Sequence, residues 1–123
     1  MISSQDIEKV QEKARQIKAL VIGDAMLDQY IYGTVDRISP EAPLPVLSHQ
    51  RTEIKAGGSA NVALNLAAWG CKTTLIGLTG NDLNANKLAS LLEEKHIRHH
   101  FVRSESRPTT IKTRVVASSH HLL

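Results

Sequence analysis

The chain has 123 residues, 41% hydrophobic and 22% charged, with a formal charge of +3 and Tyr30, Tyr32, Trp69 and Phe101 as its aromatic set. This suits one soluble domain with an aliphatic core, and without clustered basic residues interleaved with aromatics it lacks a nucleic-acid footprint. A single cysteine, Cys71, a polar N-terminus and the absence of any apolar run near the ~18–20 residues of a membrane span argue against a disulfide framework, a secretory signal and a membrane protein, and point to the cytoplasm.

Ser4 and Asp6 open a segment in which Ile7, Val10, Ala14 and Ile17 recur at helical spacing, predicting a helix with one buried stripe. Ala19 to Gly23 is a short apolar run ending at glycine, the pattern of a strand buried on both faces. From Gln29 to Ser48 strand-like residues are interrupted by Pro40, Pro43 and Pro45, which predicts a β excursion of edge strands, residues 29–50, outside the main sheet.

The glycine pair Gly57-Gly58 then introduces a helix running to Trp69 and stopped by Gly70. Val62, Leu66 and Trp69 supply an apolar face, and Ala60, Ala63 and Ala67 allow close packing on a sheet. Thr73–Leu78 reads as a buried strand. Asn81 or Asp82 can cap a helix carrying Ala85, Leu88 and Leu92, and Phe101-Val102 and Thr110–Ala117 read as two more strands. The order α, β, β excursion, α, β, α, β, β predicts an α/β fold with a parallel sheet and right-handed crossovers. The sequence reaches Leu123 straight after a strand, which reads as the N-terminal portion, residues 1–123, of a larger domain.

Ligands of open α/β sheets bind beyond the carboxyl ends of the strands. Asp24 follows the first strand there, with Asp28 four residues on, and a carboxylate can accept hydrogen bonds from vicinal hydroxyls of a polyol; the alternative is a turn cap and a solvated acid. Gly57-Gly58 ahead of Asn61 lets a ligand approach the backbone at a helix N-terminus, or is an ordinary glycine loop. Gly77–Asp82 lines the same end or simply starts a capped helix. Lys112 and Arg114 share one strand face and suit a phosphate, or form a solvated face. The adjacent pairs His99-His100 and His120-His121 point to opposite sides of a strand and do not suit a two-ligand metal site. Cys71, just past a helix end, reads as structural, and Glu93, Glu94 and Lys95 as a solvated helix end.

Taken together, Gly23-Asp24-Ala-Met-Leu-Asp28-Gln-Tyr30, Arg37-Ile-Ser-Pro-Glu-Ala-Pro-Leu-Pro-Val46, Ala56-Gly-Gly-Ser-Ala-Asn61, Gly77-x-x-Gly80-x-Asp82 and Pro108-Thr-Thr-Ile-Lys112-Thr-Arg114 resemble the N-terminal half of the ribokinase (PfkB) carbohydrate kinases. More narrowly they are similar to the kinase domain of bacterial heptose 7-phosphate kinases, alone or fused to an adenylyltransferase. The resemblance implies a mostly parallel sheet flanked by helices with a small β lid, often a dimer contact. It also implies ATP and Mg2+ as cofactors and a phosphorylated sugar as substrate, in ADP-heptose and lipopolysaccharide core synthesis. By matching position, Asp28 with Asp24 nearby would bind the sugar diol, Gly57, Gly58 and Asn61 the sugar, and Lys112, Arg114 and Arg37 the sugar or its phosphate. The family's Asp-Thr-x-Gly-Ala-Gly-Asp segment, which carries the catalytic base, is absent from this sequence, so the chain is expected to be inert alone. Another sugar kinase of the same family, or a non-catalytic dimerising module, remains an alternative.

Overall fold

The computed structural model describes residues 1–118. In chain order it contains α1 (Ser4–Ala14), β1 (Lys18–Ile22), β2 (Ala25–Ile38), β3 (Pro45–Gly58), α2 (Ser59–Ala68), β4 (Lys72–Gly80), α3 (Leu83–Glu93), β5 (Arg98–Ser104) and β6 (Ile111–Ser118). This is the element order expected from the periodicity. The strands form two three-stranded sheets, ordered β1-β4-β5 and β3-β2-β6. The chain divides into two compact units, one of Met1–Leu27 with Ala56–Thr110, the other of Asp28–Lys55 with β6.

In the first unit β1 pairs with β4 and β4 with β5, both parallel. Successive strands are laid down in the same direction across the sheet, so right-handed crossovers put α2 and α3 on one face. Accordingly α2 packs on β1 and β4, and α3 on β4 and β5. The core lies between them, where Thr73, Leu75, Gly77 and Thr79 of β4 meet Ala60 and Ala63 of α2 and Ala85, Leu88, Ala89 and Leu92 of α3.

Among the described residues of this unit no helix covers the opposite face, which corrects the expectation that β1 is buried on both sides. Leu20 is 60% and Ile22 72% exposed. The sequence run is apolar throughout because both faces of a parallel strand normally need cover, yet both covering helices fall on the other side. The predicted buried stripe of α1 is corrected in the same way. Of its members only Ala14 is buried, whereas Ile7, Val10 and, beyond the helix, Ile17 are exposed, because among the described residues of this unit no helix or strand closes over them. On α2 the alanine side packs, as expected, but Val62 and Trp69 are exposed, since close approach to the sheet selects the face with the smallest side chains. Gly70, at φ +103°, ends α2 in the left-handed conformation the sequence suggested.

In the second unit β2 and β3 are joined by the six residues between Ile38 and Pro45, too few for a parallel crossover, so they form a hairpin. Pro40 and Pro43 fall in the turn and Pro45 opens β3, where no ladder donor is required. The hairpin strands are 14 residues each, longer than the excursion read from the prolines. β6 joins this sheet beside β2 instead of extending the parallel one. No helix among the described residues is long and apolar enough to cross a membrane.

Candidate functional site

Two groups of candidate side chains emerge, one in each unit. The first lies where β1 ends. Gly23 donates its N–H to Ile76 O at 3.2 Å, which carries the chain past the carboxyl end of β1, and the Asp24 carbonyl accepts the Ser59 N–H at 2.9 Å. Gly58 sits at φ +59°, and an added Cβ would strike the Asp24 carbonyl and come within 3.0 Å of Met26 Cε. Only glycine satisfies both the conformation and the contact. Gly57 beside it is buried.

As the residue preceding α2, Gly58 offers no side-chain cap to the first turn of that helix. The Asp24 carbonyl takes the Ser59 N–H, and the remaining first-turn donors are left for another acceptor, with the positive end of the helix dipole behind them. Asn61 is exposed on this first turn, and Asp24 is exposed with no hydrogen bond to its carboxylate among the described residues. The sequence reading did not single out Ser59, whose Oγ is buried without a partner. Its position, directly after the glycine pair and at the helix start, was the available signal.

The second group lies on the sheet β3-β2-β6. Asp28, in β2, is half-buried, and its Oδ1 is buried with no hydrogen-bond partner. It is therefore not the solvated acid that the sequence left open. Two residues on, Tyr30 stacks with Tyr32, ring centroids 6.3 Å apart at 18°. Cations from both flanking strands close on these rings. Arg114 of β6 donates to Tyr30 Oη at 2.9 Å with its Cζ 5.4 Å from the ring centre. Lys55 Nζ of β3 lies 5.4 Å from the same ring, and Arg51 Cζ sits 3.9 Å over Tyr32. Glu53 pairs with Arg51 and, at 3.8 Å, with Lys55. Lys112 and Arg114 are both exposed, with no carboxylate in ion-pair range among the described residues. Arg37 is not brought to this cluster, being seven residues along β2 from Tyr30, about 23 Å at the rise of a strand. The two tyrosines and the β3 cations were missed because their convergence depends on strand register.

The Gly77–Asp82 segment takes the second of its two readings. Asp82 Oδ1 accepts the Ala85 N–H at 2.9 Å and caps α3, and it also accepts the Thr109 hydroxyl at 2.7 Å. Oδ2 accepts the Thr109 N–H at 2.8 Å, while the Gly80 N–H donates to Thr109 Oγ1 at 3.0 Å. Hydrogen bonds from the Thr109 N–H, then the Ala85 N–H, then the Thr109 hydroxyl hold the Asp82 carboxyl below its ordinary range. This is a clamp between a helix start and the segment before β6.

His99 Nε2 lies 3.0 Å from Glu93 Oε1 and stacks on Phe101, so Glu93 is engaged and not merely part of a solvated helix end. Cys71 is a free, half-buried thiol. Among the described residues no group of three His, Cys, Asp or Glu could hold a metal ion. His120 and His121 lie outside the described residues. Among the described residues there is thus no ready-made protein cage for Mg2+, an ion commonly held by one or two carboxylates together with substrate phosphates.

The pfkB family carbohydrate kinase model matches residues 16–122. The chain is 48% identical over 113 residues to the Bifunctional protein HldE of Hyphomonas neptunium, covering 91% of this chain and 23% of that protein. It is 45% identical over 112 residues to the D-beta-D-heptose 7-phosphate kinase of Bordetella bronchiseptica, covering 91% of this chain and 36% of that one. It thus spans about a quarter to a third of these relatives' length. Among solved structures, a carbohydrate kinase from Agrobacterium tumefaciens shares the fold at a TM-score of 0.68 and 22% identity, over 82% of this chain and 32% of that one. With matched residues running through both sheets and the glycine loop, the chain belongs to the pfkB family of carbohydrate kinases.

Proposed function

We propose that the chain carries the sugar-recognising part of an ATP-dependent kinase that phosphorylates the anomeric hydroxyl of D-glycero-β-D-manno-heptose 7-phosphate, feeding ADP-heptose and lipopolysaccharide core synthesis in the cytoplasm. The relatives' names support the substrate, and family membership supports the phosphoryl transfer. The observation that carries the reading is Asp28 Oδ1, a buried carboxylate oxygen with no partner. Such an acceptor costs roughly 1–3 kcal/mol unless a donor completes it, and a sugar hydroxyl is a suitable donor.

The roles follow from each group separately. Asp28 accepts sugar hydroxyls, and Lys112 and Arg114 offer charge to phosphate oxygens, Arg114 with its guanidinium oriented by Tyr30. Asp24 and Asn61 offer an acceptor and an amide beside the uncapped start of α2, while Gly57 and Gly58 let a polyol reach the backbone. Arg37, remote from Tyr30 along β2, serves a phosphate only from elsewhere on that strand. ATP would supply the transferred phosphoryl group and Mg2+ its charge neutralisation; the sequence lacks the family's Gly-Ala-Gly-Asp segment, so no step through them is assigned to these residues. Pairing between copies through the sheet β3-β2-β6 is proposed as the dimer contact.

Calorimetric titration of the chain with heptose 7-phosphate tests this, with ribose and fructose 6-phosphate as controls. Selective heptose 7-phosphate binding is expected, weakened at least tenfold by Asp28→Ala and by Lys112→Ala, with no ATP-dependent turnover by the chain alone. Equal binding of all three sugars, or binding that is indifferent to Asp28→Ala, refutes the assignment.

A further inference from the structure

All three strands of the sheet β3-β2-β6 send charged side chains to one side. Arg51 lies over Tyr32, and Lys55 and Arg114 flank Tyr30, so these contacts bring one face of each strand together. Side chains alternate along a strand, which adds Glu53 of β3, Asp28 of β2 and Lys112 of β6 to that side. Four cations thus meet two carboxylates, a surplus of two positive charges, and all of these residues belong to the second unit.

Lys55 has a distinct place among them. Its Nζ lies 5.4 Å from the centre of the Tyr30 ring, and Arg114 Cζ lies 5.4 Å from the same centre, so the two cations stand no more than twice that distance apart. They come from opposite flanks of β2, Lys55 from β3 and Arg114 from β6. Charge-assisted N–H···O contacts are about 2.8 Å each, so one phosphate with an oxygen turned to either side bridges roughly 8 Å. Tyr30 steadies both cations: its hydroxyl accepts from Arg114, and its ring attracts the ammonium. Glu53 Oε2 lies 3.8 Å from Lys55 Nζ, in a pair whose side chains are 34% and 64% exposed. So exposed an ion pair is weak and readily exchanged for a stronger anion. Arg51, by contrast, is stacked on Tyr32 at 3.9 Å and paired with the other oxygen of Glu53, which leaves Lys55 the more available cation of β3.

We infer that Lys55 is a specificity-determining residue that, with Arg114, clamps the phosphate of the ligand across Tyr30, Glu53 holding the ammonium in place until the ligand arrives. This rests on the sugar-phosphate reading above and adds to it a cation from a third strand. The class selected is a phosphate monoester, which carries close to two negative charges at neutral pH. That charge matches the surplus on this side of the sheet. An unphosphorylated sugar, or a diester with a single charge, leaves the surplus uncompensated, so discrimination arises here from charge and not from contacts to ring hydroxyls.

Calorimetric titration of the whole chain compares D-glycero-D-manno-heptose 7-phosphate with unphosphorylated heptose. Lys55→Met keeps the aliphatic stem and removes the charge; it should weaken binding of the phosphorylated sugar at least tenfold, with the loss confined to that ligand. Lys55→Arg should restore affinity to within threefold of native, and Glu53→Gln should tighten it severalfold. Unchanged affinity in Lys55→Met, equal losses for both sugars, no rescue by Lys55→Arg, or weaker binding by Glu53→Gln would overturn the clamp. If Lys55→Met binds like the native chain while Lys112→Ala does not, the sugar-phosphate reading stands and the clamp falls. A phosphorus NMR titration with glycerol 3-phosphate needs no heptose site. A Lys55-dependent shift there, without selective heptose binding, keeps the clamp and rejects the heptose as substrate, whereas no Lys55-dependent response to either phosphate ester refutes the clamp.

Discussion

Replacing Asp82 by alanine removes three hydrogen bonds at once: the cap on Ala85 N and both bonds to Thr109. Loss of a helix cap costs about 1 kcal/mol. The Thr109 N–H then loses its acceptor in a residue only 4% exposed, which adds about 1–3 kcal/mol. The expected destabilisation is therefore about 2–4 kcal/mol. Asp82→Asn keeps one carbonyl acceptor and should cost about half as much. Urea unfolding followed by circular dichroism measures both.

Acid supplies an independent arm. The Asp82 carboxyl titrates below its ordinary value in the folded chain, so its contribution is complete above the unfolded value of about pH 4 and is lost as pH falls through the lowered folded value. The difference in stability between the native chain and Asp82→Asn should accordingly narrow on acidification below about pH 4. An alanine variant within about 0.5 kcal/mol of the native chain, with an unchanged acid limb, would refute the clamp, since that is the range of ordinary surface substitutions.

Leu88→Ala, at a fully buried position on α3, should cost about 2–5 kcal/mol in the same unfolding assay. Gly58→Ala forces a non-glycine residue to φ +59° against the Asp24 carbonyl, and a loss of about 1–3 kcal/mol is expected together with weaker sugar binding by calorimetry. Tyr30→Phe deletes the hydroxyl that accepts from Arg114 while keeping the ring beside Lys55. It should leave stability nearly unchanged, lower affinity for heptose 7-phosphate severalfold, and leave affinity for an unphosphorylated sugar unaltered.

Local sequence determined most of the element order, because helical periodicity, prolines and glycines act within a few residues. Leu88 and Leu92 on α3, Gly70 after α2 and the prolines around the β2–β3 turn all sit where their own chemistry requires. The glycine loop and Asp24 were legible for the same reason, since a tight turn at a strand end leaves its mark in adjacent residues. The motifs running through them were also sufficient to identify the family.

What tertiary structure alone decided is which faces meet. Ala19 to Ile22 reads as a doubly buried strand, yet its Leu20 side is open, because helix placement follows from strand order across the sheet and not from the strand itself. The β6 residues carry no mark of the sheet they join, and that pairing is what brings Arg114 to Tyr30, 84 positions away in sequence. Burial of Asp28 Oδ1 without a partner is likewise invisible in a one-dimensional pattern. Periodicity specifies the hydrogen bonds and apolar stripe of each segment, whereas register and crossover handedness determine its neighbours, and those neighbours make the site.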